Sequence, residues 1–265
     1  MKKFKLLSIA LAGILAVGIA GCGKKTASDS KTIVIGVSPS PHKQIMEVAK
    51  PILEKEGYKV EIKEFNDYVQ PNMALNNGEL DANFFQHIPY LNQMVKEKNL
   101  DITATVKVHI EPMALYSKKI KKVEDLKNGA TIAIPNDATN EARALQVLAK
   151  NNIIKIKDGE LVTDKDITSN PKNLKFKPVE AAQVPRSLED VDAAVINGNY
   201  AIDAGFNPLT DGIVVEESSS PYANVVAVRT KDKDTEKIKA LDKALTSDEV
   251  KKFIEKQNGK YVPAF

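Results

Sequence analysis

The sequence predicts an α/β protein of two lobes, joined by two extended segments and separated by a cleft. Three observations carry that reading. Short β-branched runs alternate with helical stripes from residue 31 to residue 100, and the alternation begins again at residue 130. Between the two series, and again before the last helices, lie extended stretches too long for one ordinary strand. Strand, helix, strand, helix, strand implies parallel pairing. Two such units linked twice leave a groove, where small ligands bind.

In chain order, "KTIVIGV" (31–37) is a β-branched run closed by "SPSP". A helical stripe of Ile45, Val48, Ala49, Ile52 and Leu53 follows, with Pro51 expected to kink it. "YKVEIKEF" turns Tyr58, Val60 and Ile62 inward against Lys59, Glu61 and Lys63, a half-exposed strand. "VQPNMALNNGELDANFF" reads as a short helix ending near Gly78, then a strand. "ITATVKVHIEPMALYS" (102–117) is the first crossing. "ATIAIPND" (130–137) is a buried strand, and Asp137 suits the cap of the helix "ATNEARALQVLAKNN". "NLKFKPVE", "VDAAVING" and "GIVVEE" add strands, with "GNYAIDAG" a short helix between the last two. "SSSPYANVVAVRT" (218–230) is the second crossing, before two final helices. Thr246 and Glu249 have the spacing of a capping box for the last one.

The opening "MKKFKLLSIALAGILAVGIAGC" has a Lys-rich start, an apolar run from Leu6 to Ala20 and small residues before Cys22, the layout of an export leader over residues 1–21. That run is shorter than the roughly 20 residues of a spanning helix, and no later segment is long or apolar enough to cross a bilayer. Cys22 is the only cysteine, which excludes an intramolecular disulfide. "IAGC" resembles the lipobox of bacterial lipoproteins, whose cysteine carries a diacylglycerol, with Ile19 in place of the more usual leucine. Residues 22–31 are small, polar and charged, a flexible tether. The chain is therefore expected at the cell membrane on its extracytoplasmic side, attached through the lipid alone. Net charge is +3, and removal of Lys2, Lys3 and Lys5 with the leader brings it to zero, which argues against a nucleic-acid partner.

Candidate ligand groups collect at strand ends. In a chain only 6% aromatic, "LDANFFQHIPYL" puts Phe84, Phe85, His87 and Tyr90 close together. A strand turns Phe84 and Phe85 to opposite faces, and His87 and Tyr90 fall where open α/β sheets place ligand contacts. Tyr68 follows the preceding strand in the same way. In the second unit Asn140 and Arg143 share a helical face within two turns of the helix start, where backbone N–H groups favour anions. Arg143 adds a bidentate fork for a carboxylate. Asn199, in preference to the turn residue Asn197, and Asn224 on the second crossing can donate and accept toward an amino acid's two ends.

"NDYVQPNMAL", "LDANFFQHIPYL", "IAIPNDATNEARAL", "INGNYA" and "PYANVV" together are similar to the NlpA/MetQ family of methionine-binding lipoproteins, substrate receptors for ABC importers. The likeness runs from the lipobox to "PYANVVAVRT". It implies a periplasmic-binding-protein fold of the type II-like kind, a monomer closing on methionine, the L-enantiomer first. Lobe I is expected from residues 32–110 plus 224–265, and lobe II from 111–223. The partners implied are an ABC permease and its ATPase subunit. The positions matching Tyr68, Phe85, His87 and Tyr90 surround the ligand side chain, and those matching Arg143, Asn199 and Asn224 hold its α-carboxylate and α-amino groups. Ala138 departs from the family, where proline is common at that helix start.

Rival readings are weaker. No activated nucleophile or tuned acid–base pair stands out, so no catalytic residue and no cofactor is expected. His42, His87 and His109 invite a metal receptor, but without a close-spaced pair no metal site is expected. An adhesin would not explain polar groups facing inward on both lobes. D-methionine and a methionine-containing dipeptide share the groups discussed.

Overall fold

The computed structural model describes residues 31–217 and 221–265. The expected leader, the lipidation of Cys22 and all of the tether but Lys31 lie outside them, as do Ser218, Ser219 and Ser220 of the second crossing. Among the described residues no helix is long and apolar enough to cross a membrane.

The first series of elements is β1 (Thr32–Val37), α1 (Gln44–Lys55), β2 (Lys59–Glu64), α2 (Gln70–Asn76), β3 (Ala82–His87), α3 (Ile88–Lys98) and β4 (Ile102–Ile110). The second begins with β5 (Ala114–Tyr116), β6 (Thr131–Pro135) and α4 (Ala138–Lys150), then the small hairpin β7 (Lys155–Ile156) and β8 (Ile167–Ser169). It continues through β9 (Lys175–Val179), α5 (Val184–Ser187), β10 (Ala193–Ile196), α6 (Gly198–Asp203), α7 (Pro208–Asp211) and β11 (Val214–Val215). The chain ends with β12 (Ala223–Arg229), α8 (Glu236–Leu245), α9 (Asp248–Glu255) and β13 (Val262–Pro263).

Apart from the two-stranded β7-β8 pair, the strands form two sheets, in the orders β13-β4-β12-β3-β1-β2 and β11-β5-β10-β6-β9. β1 runs parallel to β2 and β3, and β6 parallel to β9 and β10. β12 enters the first sheet antiparallel, between β3 and β4. The chain thus leaves the first sheet after Ile110, enters the second at Ala114, leaves that at Val215 and returns at Ala223. Both lobes are α/β, as the sequence periodicity requires.

Each sheet is covered on two faces. On the first, Ile33, Ile35, Val37 and Phe84 pack with Ile45, Leu53 and Leu241 of α1 and α8, while Phe85 on the opposite face packs with Leu75, Tyr90 and Leu91 of α2 and α3. On the second, Ile132 and Ile134 meet Leu145 and Leu148 of α4, and Ala133 and Ile196 meet Val184 and Tyr200. Burying one such aliphatic side chain contributes about 1.5–3 kcal/mol. Helix α1 runs on through Pro51.

The last helix is capped one residue later than the Thr246 and Glu249 spacing predicts. Thr246 closes α8, its hydroxyl donating to the Asp242 carbonyl at 2.8 Å, and so is engaged with the preceding turn. Ser247 is the cap of α9, its Oγ accepting from the Val250 N–H.

Candidate functional site

The carboxyl ends of β3, β6 and β10 face one another, the position that parallel sheets reserve for ligands. There Tyr68, Phe85, Gln86, His87, Tyr90, Glu111, Asn140, Arg143, Asn197, Gly198, Asn199 and Asn224 line a cavity of about 300 Å³. All eight residues singled out from the sequence are among them. One wall is aromatic: the Tyr68 ring lies 5.9 Å from Phe85, 5.5 Å from Tyr90 and 4.9 Å from Tyr200.

His87 ends β3 as the cap of α3. Its Nδ1 accepts from the Tyr90 N–H at 3.1 Å, so the proton sits on Nε2, which donates to Asn140 Oδ1 at 3.1 Å. Burial, then the charge of Arg143, lowers its pKa to about 3, and the ring is neutral. Asn140 Oδ1 also accepts from Asn197 at 2.7 Å, and its Nδ2 donates to both Asp137 oxygens at 2.9 and 3.0 Å. The Asn140 amide is therefore spent on orienting its neighbours. Asp137 also takes the Asn140 backbone N–H at 3.0 Å, so the helix start proposed as an anion site holds the protein's own carboxylate.

Arg143 is buried, 3% exposed. Its Nε donates to Glu216 at 3.0 and 3.2 Å and its Nη2 to Glu216 Oε2 at 2.5 Å and to the Glu111 carbonyl at 2.8 Å. One edge of the fork is thus filled by Glu216, while Nη1 has no hydrogen-bond partner among the described residues. The Tyr222 ring lies under the guanidinium at 4.3 Å. Arg186 does not line the cavity, and Arg229 is a structural cap, bonded to Asp232 and to the carbonyls of Leu75 and Leu80.

Two further amides face the cavity unsatisfied. Asn199 Oδ1 accepts from Tyr68 Oη at 2.5 Å, but its Nδ2 is buried without a partner among the described residues, as is Asn197 Oδ1. Such atoms are rare in native proteins. The lobes also touch directly: besides Tyr68 with Asn199 and His87 with Asn140, Tyr200 Oη donates to the Asn66 carbonyl at 3.1 Å.

Glu111, Gln86 and Gly198 were not singled out from the sequence, and Asn197 was set aside as a turn residue. Glu111 had a signal: it is the lone acid in the extended "VKVHIEPMALY", two residues from His109 and so on the same face of a strand. Gly198 is required by space, since a Cβ there would stand 2.6 Å from Glu111 Cβ. His42 and His109 are fully buried and do not line the cavity; they stand behind Glu111 and Asn224.

Two α/β lobes meeting twice around an enclosed cleft define the two-lobed periplasmic-binding-protein class. The sequence profile of the NlpA lipoprotein family matches residues 33–265, and the chain belongs to that family. It is 46% identical over 253 residues to the D-methionine-binding lipoprotein MetQ of Salmonella typhi, covering 94% of this chain and 93% of that one. Among solved structures, a nutrient binding protein from Burkholderia cenocepacia bound to methionine is 48% identical, with a TM-score of 0.85 over 88% of this chain and 100% of its own. Lipoprotein Tp32 from Treponema pallidum is 39% identical, with a TM-score of 0.85 over 88% of this chain and 99% of its own.

Proposed function

We propose that the chain is the lipid-anchored substrate-binding protein of an ABC importer, and that its two lobes close on methionine and deliver it to a membrane permease. The cavity carries this reading: an unpartnered buried donor, Asn199 Nδ2, and acceptor, Asn197 Oδ1, lie opposite an aromatic wall. A zwitterion with an apolar tail satisfies both sides. Aromatic rings suit a thioether, at about 0.3–1.5 kcal/mol for each sulfur contact.

In this reading Tyr68, Phe85, His87 and Tyr90 enclose the side chain. Nη1 of Arg143, with Asn199 and Asn224, takes the carboxylate. Glu111, buried beside the cavity, receives the ammonium group. Asn140 contributes by holding His87 and Asn197. Residues 32–110 with 224–265, and 111–223, act as the moving lobes, and only the closed form completes both sets of contacts. Cys22 ties the protein to the extracytoplasmic face. The names of the relatives support methionine as the ligand class.

Mass spectrometry of the small molecules released from freshly purified, denatured protein tests the ligand directly, and methionine is expected. Thermal denaturation with L-methionine, D-methionine or zinc then ranks the alternatives. A ligand at a hundredfold its dissociation constant adds about 2.7 kcal/mol of stability. L-Methionine is expected to give the larger shift; D-methionine alone shifting would reassign the enantiomer, and zinc alone would end the reading.

A further inference from the structure

We propose that His42 and His109 are positioning residues for the ligand site, fixing Asn224 as a hydrogen-bond donor and Glu111 as an acceptor toward the cavity. The proposal rests on the functional reading above. His42 comes from the turn after β1, His109 from β4, Glu111 from the first crossing and Asn224 from β12, so four segments meet there. The donor atoms of His42, His109 and Glu111 lie within 4.8 Å of one another.

The tautomers follow from the partners. His42 Nε2 faces two acceptors, Asn224 Oδ1 at 3.1 Å and Glu111 Oε1 at 3.3 Å, so it must carry the proton. Its Nδ1 is then a lone pair, and the Ser38 hydroxyl, 2.6 Å away, donates to it. His109 Nε2 stands 2.6 Å from the same Glu111 Oε1 and donates to it; its Nδ1 has no partner among the described residues. The rings are held in a dry setting, with Phe84 4.7 Å from His42 and 5.4 Å from His109, and Tyr261 5.6 Å from His109. Burial keeps both rings neutral, lowering His42 to about 4 and His109 to about 3.

Two consequences reach the cavity. With Oδ1 tied to His42, Asn224 can only turn its Nδ2 N–H groups to a ligand, which suits a carboxylate. With Oε1 held by His109 and flanked by His42, Glu111 turns Oε2 toward Gly198 on the cavity wall, where the Asn199 backbone N–H also favours the charged carboxylate and a lone pair is left for a cation. Each histidine therefore serves a different end of an amino acid.

The ¹⁵N resonances of the histidine rings in full-length protein at neutral pH read the tautomers without any ligand. Both His42 and His109 should be neutral with the proton on Nε2, and an Nδ1–H form of either would overturn the proposal. Binding of methionine, of methioninol, which lacks the carboxylate, and of the α-hydroxy analogue, which lacks the ammonium group, then separates the two ends. His109→Phe should weaken methionine on the order of tenfold to a hundredfold, while changing the α-hydroxy analogue less than about threefold. His42→Phe should weaken methionine similarly but spare methioninol. His42→Gln and His109→Gln, which keep an N–H donor, should recover part of the loss and cover the case in which a phenylalanine variant fails to fold. Equal losses for all three ligands would make the histidines merely structural. Zinc raising the melting temperature of the wild type, but not of a protein with both glutamines, would make the cluster a metal site instead. Wild-type protein that ignores methionine would instead sink the functional reading, while the ring resonances still judge the positioning claim.

Discussion

Arg143 and Glu216 form a buried ion pair that ties helix α4 to the connection leaving β11, with three N–O contacts of 2.5–3.2 Å. The same guanidinium donates to the Glu111 carbonyl on the first crossing, and Glu216 Oε2 accepts from the Met113 N–H at 3.1 Å. Arg143 is thus a strut between both connections. Arg143→Ala leaves Glu216 buried and unpaired, and should destabilise the ligand-free protein by about 3–5 kcal/mol. Urea denaturation without ligand measures this. A ligand-free stability within experimental error of wild type would show that the pair is not coupled to the fold.

In the proposed function the aromatic wall sets side-chain preference. Phe85 is 3% exposed, so Phe85→Ala should cost about 3–5 kcal/mol of stability as a cavity is left behind. Calorimetric titration should show methionine affinity falling more than alanine affinity. Equal losses for both would remove Phe85 from contact with the side chain.

Tyr68→Phe keeps the ring and deletes the hydroxyl that bridges the lobes to Asn199. Its expected cost is about 0.5–1.5 kcal/mol, drawn from the closed form alone. Small-angle scattering of ligand-free protein should shift toward a larger radius of gyration, with little change in the melt of either core.

Gly198→Ala drives a methyl group to within 2.6 Å of Glu111 Cβ and 3.1 Å of the Pro112 carbonyl. Strain of about 1–3 kcal/mol is expected, along with displacement of the Glu111 carboxylate. Methionine binding should fall while the α-hydroxy analogue is less affected. Unchanged affinity for methionine would argue against Glu111 as the ammonium partner.

Buried histidines make stability fall in acid. Burial lowers His87 and His109 to about 3 and His42 to about 4, against an ordinary 6.5, so on acidification the unfolded chain takes up these protons first. Their contribution is full above the ordinary value and declines as pH falls toward the folded values. Glu111, Asp137 and Asp242, each raised by burial, act in the opposite sense, so the raw curve mixes both effects. The difference between wild type and His87→Gln isolates one proton. It should change by about 1.4 kcal/mol per pH unit between roughly pH 4 and 6, with wild type losing more stability as pH falls. Parallel stability curves would mean that His87 is protonated in the fold.

The periodic features were legible in the sequence because they depend on near neighbours. Period two separated Phe84 from Phe85, and helical spacing put Asn140 beside Arg143. Glu216 was not legible, since its pairing with Arg143 spans 73 residues and nothing in "VVEESS" marks which acid turns inward. Nor was the saturation of Asn140, which depends on Asp137, His87 and Asn197 arriving from three elements. His42 and His109 stand far apart in the chain, and only the sheet order brings β12 beside β4 to assemble their cluster.

Ile110 and Ala223, where the chain leaves and rejoins the first sheet, are register partners on neighbouring strands, and Asn224 pairs with His109 beside them. The two connections therefore start from adjacent, paired ends of β4 and β12, so that a hinge placed there would bend both together. If the lobes hinge there, as proposed above, the state of the cleft would be legible from outside as one angle, at a distance from the cavity itself.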